Sequence, residues 1–134
     1  PSNKSLPVPK KIPDRAPDSH EDLFIGTHAA LLYRLSGDYN PLHSDPEIAK
    51  KAGFEKPILH GLATYGVAAR AVQMAIKENS STRLASFNAR FSAPVFPGET
   101  LRTEIWHQQD KIIFSASALE RNVTVLNNGS ASTK

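Results

Sequence analysis

Residues 61–78 read Gly-Leu-Ala-Thr-Tyr-Gly-Val-Ala-Ala-Arg-Ala-Val-Gln-Met-Ala-Ile-Lys-Glu and form the longest helical pattern in the chain. Apolar residues surround nearly the whole circumference of its first half, so this helix is stable only when most of its sides are buried. The small residues Gly61, Ala63 and Gly66 leave room for a sheet to approach closely. The pattern therefore predicts one long helix buried against a β-sheet.

Residues on the C-terminal side of this helix alternate with a period of about two, which is the period of a strand. The predicted strands are 84–93, 100–108, 111–119 and a last one that starts at 123–127. A turn rich in proline at 94–98 separates the first two. A buried helix followed by antiparallel strands predicts an α+β fold, in which an antiparallel sheet wraps around one long central helix. This is the hot-dog arrangement.

Shorter elements are expected before the central helix. Residues 22–27 can form a first strand, and Thr27 is a suitable N-cap for a short helix that ends at Gly37. Asp45 and Pro46 then start a second short helix, because a capping residue precedes a proline at the first helical position.

The first residues differ in composition from the rest. Residues 1–17 hold five of the ten prolines and few large apolar side chains, which is typical of an extended linker. We therefore expect a Pro-rich linker or tail at 1–19 and one folded domain at 20–134. Because the chain begins at Pro1 rather than at a methionine, we expect that a longer chain preceded this linker.

The composition excludes several kinds of protein. There is no cysteine, so disulfides, thiolate zinc sites and a thiol nucleophile are excluded. The net charge of +3 comes mostly from residues 1–19, and no basic stripe with interleaved aromatic residues follows, so we expect no nucleic-acid partner. No apolar run approaches the roughly 20 residues of a membrane span, and no signal peptide is visible.

The polar loop after the first helix combines a carboxylate with an imidazole. Residues 33–43 read Tyr-Arg-Leu-Ser-Gly-Asp-Tyr-Asn-Pro-Leu-His. Asp38 and His43 lie five residues apart in a loop that Pro41 keeps out of a helix, so both side chains can share one water and exchange its proton. Asn40 lies between them and can orient a side chain or a substrate group. Asp-x-Asn-Pro is also common turn chemistry, and the local pattern leaves both interpretations open.

A second candidate feature is Gly61, the first residue of the long helix. The first amides of a helix have no internal partner and lie at the positive end of the helix dipole. Since glycine has no side chain to block a ligand, the Gly61 amide can receive a developing oxyanion. Equally, Gly61 can serve only to let the helix pack against the sheet.

Four stretches of this sequence resemble the MaoC-like hydratase 2 family. They are residues 33–43, Lys-Pro-Ile-Leu-His-Gly-Leu at 56–62, Ala-Arg-Phe at 89–91, and the segment 94–101, in which Pro-Val at 94–95 and Pro-Gly-Glu-Thr-Leu at 97–101 match. The resemblance covers roughly residues 12 to 127. Within the family, the chain is similar to the C-terminal hot-dog half of eukaryotic (R)-specific enoyl-CoA hydratases and of peroxisomal type 2 multifunctional enzymes.

This resemblance implies a role for each candidate residue. Asp38 and His43 correspond to the catalytic pair that holds the attacking water. Asn40 corresponds to the residue that supports and orients this site, and the Gly61 amide to the donor for the thioester oxygen. Contacts with the substrate are expected from Tyr39, Pro41, Leu42, His60 and Phe91.

The implied activity is the hydration of a trans-2-enoyl-CoA to a (3R)-3-hydroxyacyl-CoA in fatty acid metabolism. We expect no metal and no cofactor, because the CoA thioester is itself the substrate and already activates the double bond. Two alternatives stay open. One is another acyl-thioester enzyme, such as a dehydratase or a thioesterase, and the other is a non-catalytic half that binds acyl-CoA or dimerises.

The resemblance also bears on partners and location. Eukaryotic members fuse two hot-dogs and bacterial relatives pair single ones, so we expect a homodimer or pairing with a second hot-dog domain. We expect an intracellular location. The family allows a peroxisomal one, although this chain ends in Ser132-Thr133-Lys134 instead of the Ser-Lys-Leu address.

Overall fold

The computed structural model describes residues 12–76, 83–109 and 111–133, and these residues form one sheet and three helices. The helices are α1 (Ala29–Arg34), α2 (Pro46–Lys51) and α3 (Gly61–Ala75). The strands are β1 (Ser19–Phe24), β2 (Leu84–Phe91), β3 (Thr100–Gln108), β4 (Lys111–Ala118) and β5 (Val123–Thr133). They pair in the order β1-β3-β4-β5-β2, and every pairing is antiparallel. None of the described helices is long and apolar enough to cross a membrane.

Helix α3 packs against the sheet as its apolar sequence predicts. Its buried face carries Ala68, Ala71 and Val72, none of which is exposed, and it lies over β1, β2 and β3. Small side chains on this face let the helix axis come close to the sheet. The α+β class and the hot-dog arrangement around one long helix are confirmed.

Strands β3 and β4 supply most of the sheet side of the core. On β3 the side chains of Leu101, Thr103 and Ile105 are fully buried, as the alternation of this segment predicts. Opposite them on β4, Phe114, Ala116 and Ala118 are also fully buried. Two neighbouring strands with one inward face each therefore close the core beneath α3.

The first strand begins earlier than predicted, at Ser19 instead of residue 22. The residues before it are tied to β3, since the Asp18 amide donates to the Ile105 carbonyl at 2.8 Å and the Trp106 ring nitrogen donates to the Arg15 carbonyl at 2.9 Å. These contacts join residues about 90 positions apart in the chain. Residues 1–11 of the predicted linker lie outside the described residues.

Two further boundaries differ from prediction. The N-cap of α1 is His28 and makes no side-chain capping bond, because a backbone bond from the Ala29 amide to the Gly26 carbonyl places Thr27 inside a turn. Strand β5 continues to Thr133. The asparagines near its middle, which are typical of a turn, lie at a β-bulge instead, where Asn128 has a φ of 51°. Asparagine tolerates this left-handed conformation, so the ladder resumes beyond it.

Candidate active site

The loop between α1 and α2 is organised by its own polar side chains. The Leu42 amide donates to Asn40 Oδ1 at 3.0 Å, so Asn40 caps the short 3-10 turn Pro41–His43. The Asn40 amide in turn donates to Asp38 Oδ1 at 3.2 Å. The turn chemistry expected of Asp-x-Asn-Pro is therefore present, and it holds Asp38 and His43 in one rigid loop.

His43 is oriented by the segment that leads into α3. Its Nδ1 lies 2.8 Å from the carbonyl oxygen of Ile58. Because a carbonyl oxygen only accepts, Nδ1 carries the proton, and Nε2 of the neutral ring has a free lone pair. The Ile58 amide also donates to the Leu42 carbonyl at 3.4 Å, which ties the two segments together. The ring is thus prepared to take a proton at Nε2.

Three side chains meet beside this loop. One carboxylate oxygen of Asp38 and one ring nitrogen each of His43 and His60 lie within 4.8 Å of one another. Asp38 is exposed, while His43 is half-buried. A water that makes hydrogen bonds of about 2.8 Å to two partners bridges a gap of this size. The carboxylate and the imidazole are therefore close enough to share one water.

His60 lies deeper than its two neighbours. Its side chain is only 1% exposed, and its Nε2 lies 3.2 Å from the backbone carbonyl oxygen of Asp38. Its ring stacks on that of His43 with 3.8 Å between centroids and 23° between planes, and the Tyr33 ring lies at 4.6 Å. The His60 side chain is therefore shielded from solvent, and its expected contact with the substrate stays a prediction.

The same three side chains do not make a good metal site. Metal-bound imidazole nitrogens lie about 2.0–2.1 Å from the ion, with their in-plane lone pairs aimed at it. In two stacked rings tilted by only 23°, the lone pairs of His43 and His60 run side by side instead of converging.

Gly61 begins α3 next to an apolar cavity of about 280 Å³. The cavity is lined by Gly61 and Phe91 together with Phe54, Ile58, Leu59, Thr64, Ala93, Pro94 and Val95. A Cβ atom on Gly61 would lie 3.4 Å from Phe91 Cζ, so the two predicted site residues are neighbours. The start of α3, whose first amides have no partner within the helix, therefore lines an apolar cavity, and the helix dipole favours negative charge there.

A second cavity, of about 200 Å³, has His43, Ser44, Lys56 and Pro57 among its lining residues. The remaining predicted contacts lie at the surface. Tyr39 is 61% exposed under the Arg34 guanidinium, Pro41 is exposed, and Leu42 is half-buried. The carbonyl of Ile58 was not predicted, because a role carried by the backbone leaves no signal in the side-chain pattern.

Comparison with known proteins gives consistent findings. The family model described as MaoC like domain matches residues 9–129. The chain is 50% identical over 126 residues to "Enoyl-CoA hydratase 2, peroxisomal" of Arabidopsis thaliana, covering 94% of the chain and 40% of that protein. It is 42% identical over 127 residues to "Peroxisomal multifunctional enzyme type 2" of Mus musculus, covering 95% of the chain and 17% of that protein.

Solved structures agree with these matches. A MaoC-like dehydratase from Phytophthora capsici superposes with a TM-score of 0.91 at 43% identity, covering 98% of the chain and 46% of that structure. The full-length peroxisomal multifunctional enzyme type 2 from Drosophila melanogaster superposes with a TM-score of 0.89 at 39% identity, covering 100% and 25%. The chain therefore spans less than half the length of each of these four proteins.

Proposed function

Because this chain belongs to the MaoC-like domain family, we propose that it hydrates trans-2-enoyl-CoA to (3R)-3-hydroxyacyl-CoA in fatty acid metabolism. The observation that carries this proposal is the arrangement of the Asp38 carboxylate and the His43 imidazole beside the first turn of α3. Asp38 and His43 can hold a water and move its proton, and the first turn of α3 can stabilise an oxyanion.

The reaction follows from these positions. The thioester oxygen accepts a hydrogen bond from the Gly61 amide, which draws electrons away from C3 of the double bond. Asp38 orients the water, and His43 Nε2 takes one of its protons as the oxygen bonds to C3. Negative charge that develops on the thioester oxygen is stabilised by the amide, and the proton held by the site is then delivered to C2. The water is added as a whole, so no other reactant is consumed.

The names of the relatives support a reaction that adds water to an acyl-thioester or removes it. Two of the similar proteins are named enoyl-CoA hydratase 2, and a Mycobacterium tuberculosis relative, 53% identical over 104 residues, is named 3-hydroxyacyl-thioester dehydratase Y. Hydration of an enoyl-thioester and dehydration of a 3-hydroxyacyl-thioester are the same reaction in opposite directions. One set of side chains therefore accounts for both names.

The proposed reaction needs neither a metal nor a redox cofactor, because the thioester carbonyl itself activates the double bond. CoA is the carrier portion of the substrate. We propose that a second hot-dog, in a second copy or in a fused domain, completes the enzyme. A peroxisomal location is proposed from the names of the plant and mouse relatives.

A second candidate function is a non-catalytic acyl-CoA-binding or dimerisation half of a larger protein. It is favoured by the short coverage of the relatives and by the exposure of Leu35 and Tyr39 in the segment between α1 and α2. Binding of a saturated acyl-CoA without any turnover of an enoyl-CoA identifies this function. A thioesterase differs from both, because attack at C1 releases free CoA.

The test is the loss of enoyl-thioester absorbance when the purified chain meets crotonyl-CoA and a longer trans-2-enoyl-CoA. A coupled R-specific 3-hydroxyacyl-CoA dehydrogenase reports the stereochemistry of the product, and a thiol reagent reports free CoA. We expect loss of absorbance, formation of the R product and no thiol release. A folded chain that is inactive on both substrates would falsify the hydratase proposal for this chain.

The variants Asp38→Ala and His43→Ala test the residues assigned to the reaction. Each is expected to lower kcat by about 10²- to 10⁴-fold, because removing either partner leaves the water without its acceptor or its orienting group. The exposed His107→Ala is the matched control and should keep wild-type turnover. Far-ultraviolet circular dichroism checks the fold, and wild-type activity in either variant contradicts the mechanism.

A further inference from the structure

His60 is a buried histidine with no capping role in its own helix. It occupies the N-cap position of α3, yet its side chain makes no capping bond. A buried polar ring is unfavourable unless it gains partners, and its Nε2 finds one in the Asp38 carbonyl, 22 residues away in the chain. The His60 side chain therefore bonds to the loop between α1 and α2 instead of to its own helix.

The hydrogen bonding of His60 determines its tautomer. The Asp38 carbonyl oxygen only accepts, so Nε2–H is the donor. Nδ1 is buried and has no hydrogen-bond partner among the described residues, so a second ring proton there would be left unpaired. The geometry therefore fits a neutral imidazole that carries its one proton on Nε2.

His60 also supports the ring of His43. The two rings stack with 3.8 Å between centroids, and His43 is held from a second direction by the Ile58 carbonyl. Both supports come from residues 58–60, which lead directly into Gly61. This short segment therefore links the base, the loop that carries the carboxylate, and the proposed oxyanion donor.

We propose that His60 is a positioning residue for the hydration reaction. Its Nε2–H holds the backbone of Asp38, its ring holds the His43 ring, and together these contacts set where the shared water lies relative to the Gly61 amide. This proposal rests on the proposed function. Displacements of about 1 Å in a reacting geometry can lower turnover about 100-fold, so such support is expected to affect kcat more than substrate binding.

Two substitutions separate the two contacts. His60→Phe keeps a stacking ring and removes the donor, whereas His60→Gln keeps an N–H donor of similar reach and removes the ring. Each is expected to lower kcat by about 10- to 100-fold and to leave KM within about twofold. The exposed His107→Gln is the control. For every variant, kcat is divided by the fraction of folded molecules, which is measured from its unfolding curve.

Nitrogen-15 spectra of the histidine rings supply a readout that does not depend on activity. In the wild type we expect His43 protonated at Nδ1 and His60 at Nε2. His60→Gln should give His43 a second set of ring signals, and His60→Phe should leave a single set. The proposal is overturned if both variants keep kcat within twofold of wild type, or if the His43 signals are unchanged in His60→Gln. If the wild type lacks hydratase activity, the proposed function fails, and the spectra alone decide the role of His60.

Discussion

Gly61 shows how the absence of a single side chain can matter for chemistry. Its amide begins α3, and a Cβ atom there would contact the Phe91 ring at 3.4–3.8 Å without a severe clash. An added methyl group therefore fits the folded protein, and it lies against Phe91 beside the apolar cavity that both residues line. The substitution tests access to the amide more than it tests stability.

Gly61→Ala is accordingly expected to lower kcat/KM for crotonyl-CoA by about tenfold or more, because the methyl group crowds the thioester carbonyl as it approaches the amide. Gly66→Ala is the matched control, since it adds the same methyl group to the same helix without meeting, within 4 Å, any described atom beyond the neighbouring helix backbone. The control should raise stability by about 0.5–1 kcal/mol and keep full activity. Equal activity of the two variants would contradict the role proposed for the Gly61 amide.

Strands β4 and β5 approach each other closely where Gly129 faces Phe114. A Cβ atom at Gly129 would clash with the Phe114 carbonyl oxygen and would lie 2.6 Å from its ring atom Cδ2. The Phe114 ring cannot move aside easily, because it is fully buried and stacks on Phe87 at 4.5 Å. The pairing of these two strands therefore depends on the glycine.

Gly129→Ala is predicted to destabilise the domain on the order of 3 kcal/mol, since overpacking forces the backbone or the buried ring to shift. Urea unfolding followed by fluorescence measures the change in the free energy of unfolding. Gly26→Ala is the control, because a Cβ atom there meets nothing within 4 Å. Similar free energies of unfolding for the two variants would contradict this prediction, because β4 and β5 would then accommodate the methyl group at little cost.

Glu99 clamps the turn that precedes β3. Its carboxylate accepts from the Phe96 amide at 2.7 Å and from Arg121, whose Nε lies 2.6 Å away. Burial acts to raise the pKa of Glu99, but these hydrogen bonds outweigh it and hold the pKa below the ordinary value of 4.5. The carboxylate is thus more stable as an anion in the folded protein than in the unfolded chain.

The depressed pKa of Glu99 makes its contribution dependent on pH. The stabilisation is fully present above the unfolded pKa and is lost as the pH falls through the folded pKa, because the folded state then takes up a proton. Glu99→Gln should therefore cost about 1–3 kcal/mol at pH 7 and progressively less below the ordinary value. Urea unfolding from pH 7 to pH 3 tests this, with Glu21→Gln on β1 as the control. A constant difference between Glu99→Gln and wild type across this range contradicts the assignment.

At the scale of the whole molecule, an apolar surface lies next to the loop that connects α1 and α2. Leu32 and Leu35 lie three residues apart near the end of α1 and are 66% and 76% exposed. Residues at this spacing share one side of a helix. The two ends of the sheet, β1 and β2, also lack a second strand partner among the described residues. These features fit a site that a second hot-dog completes.

We predict that the purified chain is a dimer at micromolar concentrations and that Leu32→Glu combined with Leu35→Glu shifts it towards monomer. Charged side chains at an apolar interface lose hydration without gaining partners. Leu119→Glu, at an exposed leucine in the turn that follows β4, is the control. Sedimentation velocity measures the change, and a double variant that associates as tightly as wild type places the interface elsewhere.

Much of this architecture could be predicted from the sequence, because the features concerned depend on neighbours close in the chain. The apolar run of α3, the alternation of β3 and the Asp45 cap of α2 all appear in the structure as predicted. Asp38, His43 and Gly61 were also singled out from local patterns and from the family resemblance, although their roles stay proposals. Local hydrogen bonds and periodic burial suffice to specify such elements.

Other features depended on the tertiary structure. The carbonyl that orients His43 is 15 residues away, the carbonyl that His60 holds is 22 residues away, and Glu99 and Arg121 are also 22 apart. Contacts of this kind arise only when separate segments meet, and they often use backbone atoms that every residue has. The sequence therefore determined the family, most of the elements and the candidate residues of the site. Only the folded chain decided how these side chains are held, because that depends on which distant groups satisfy each buried polar atom.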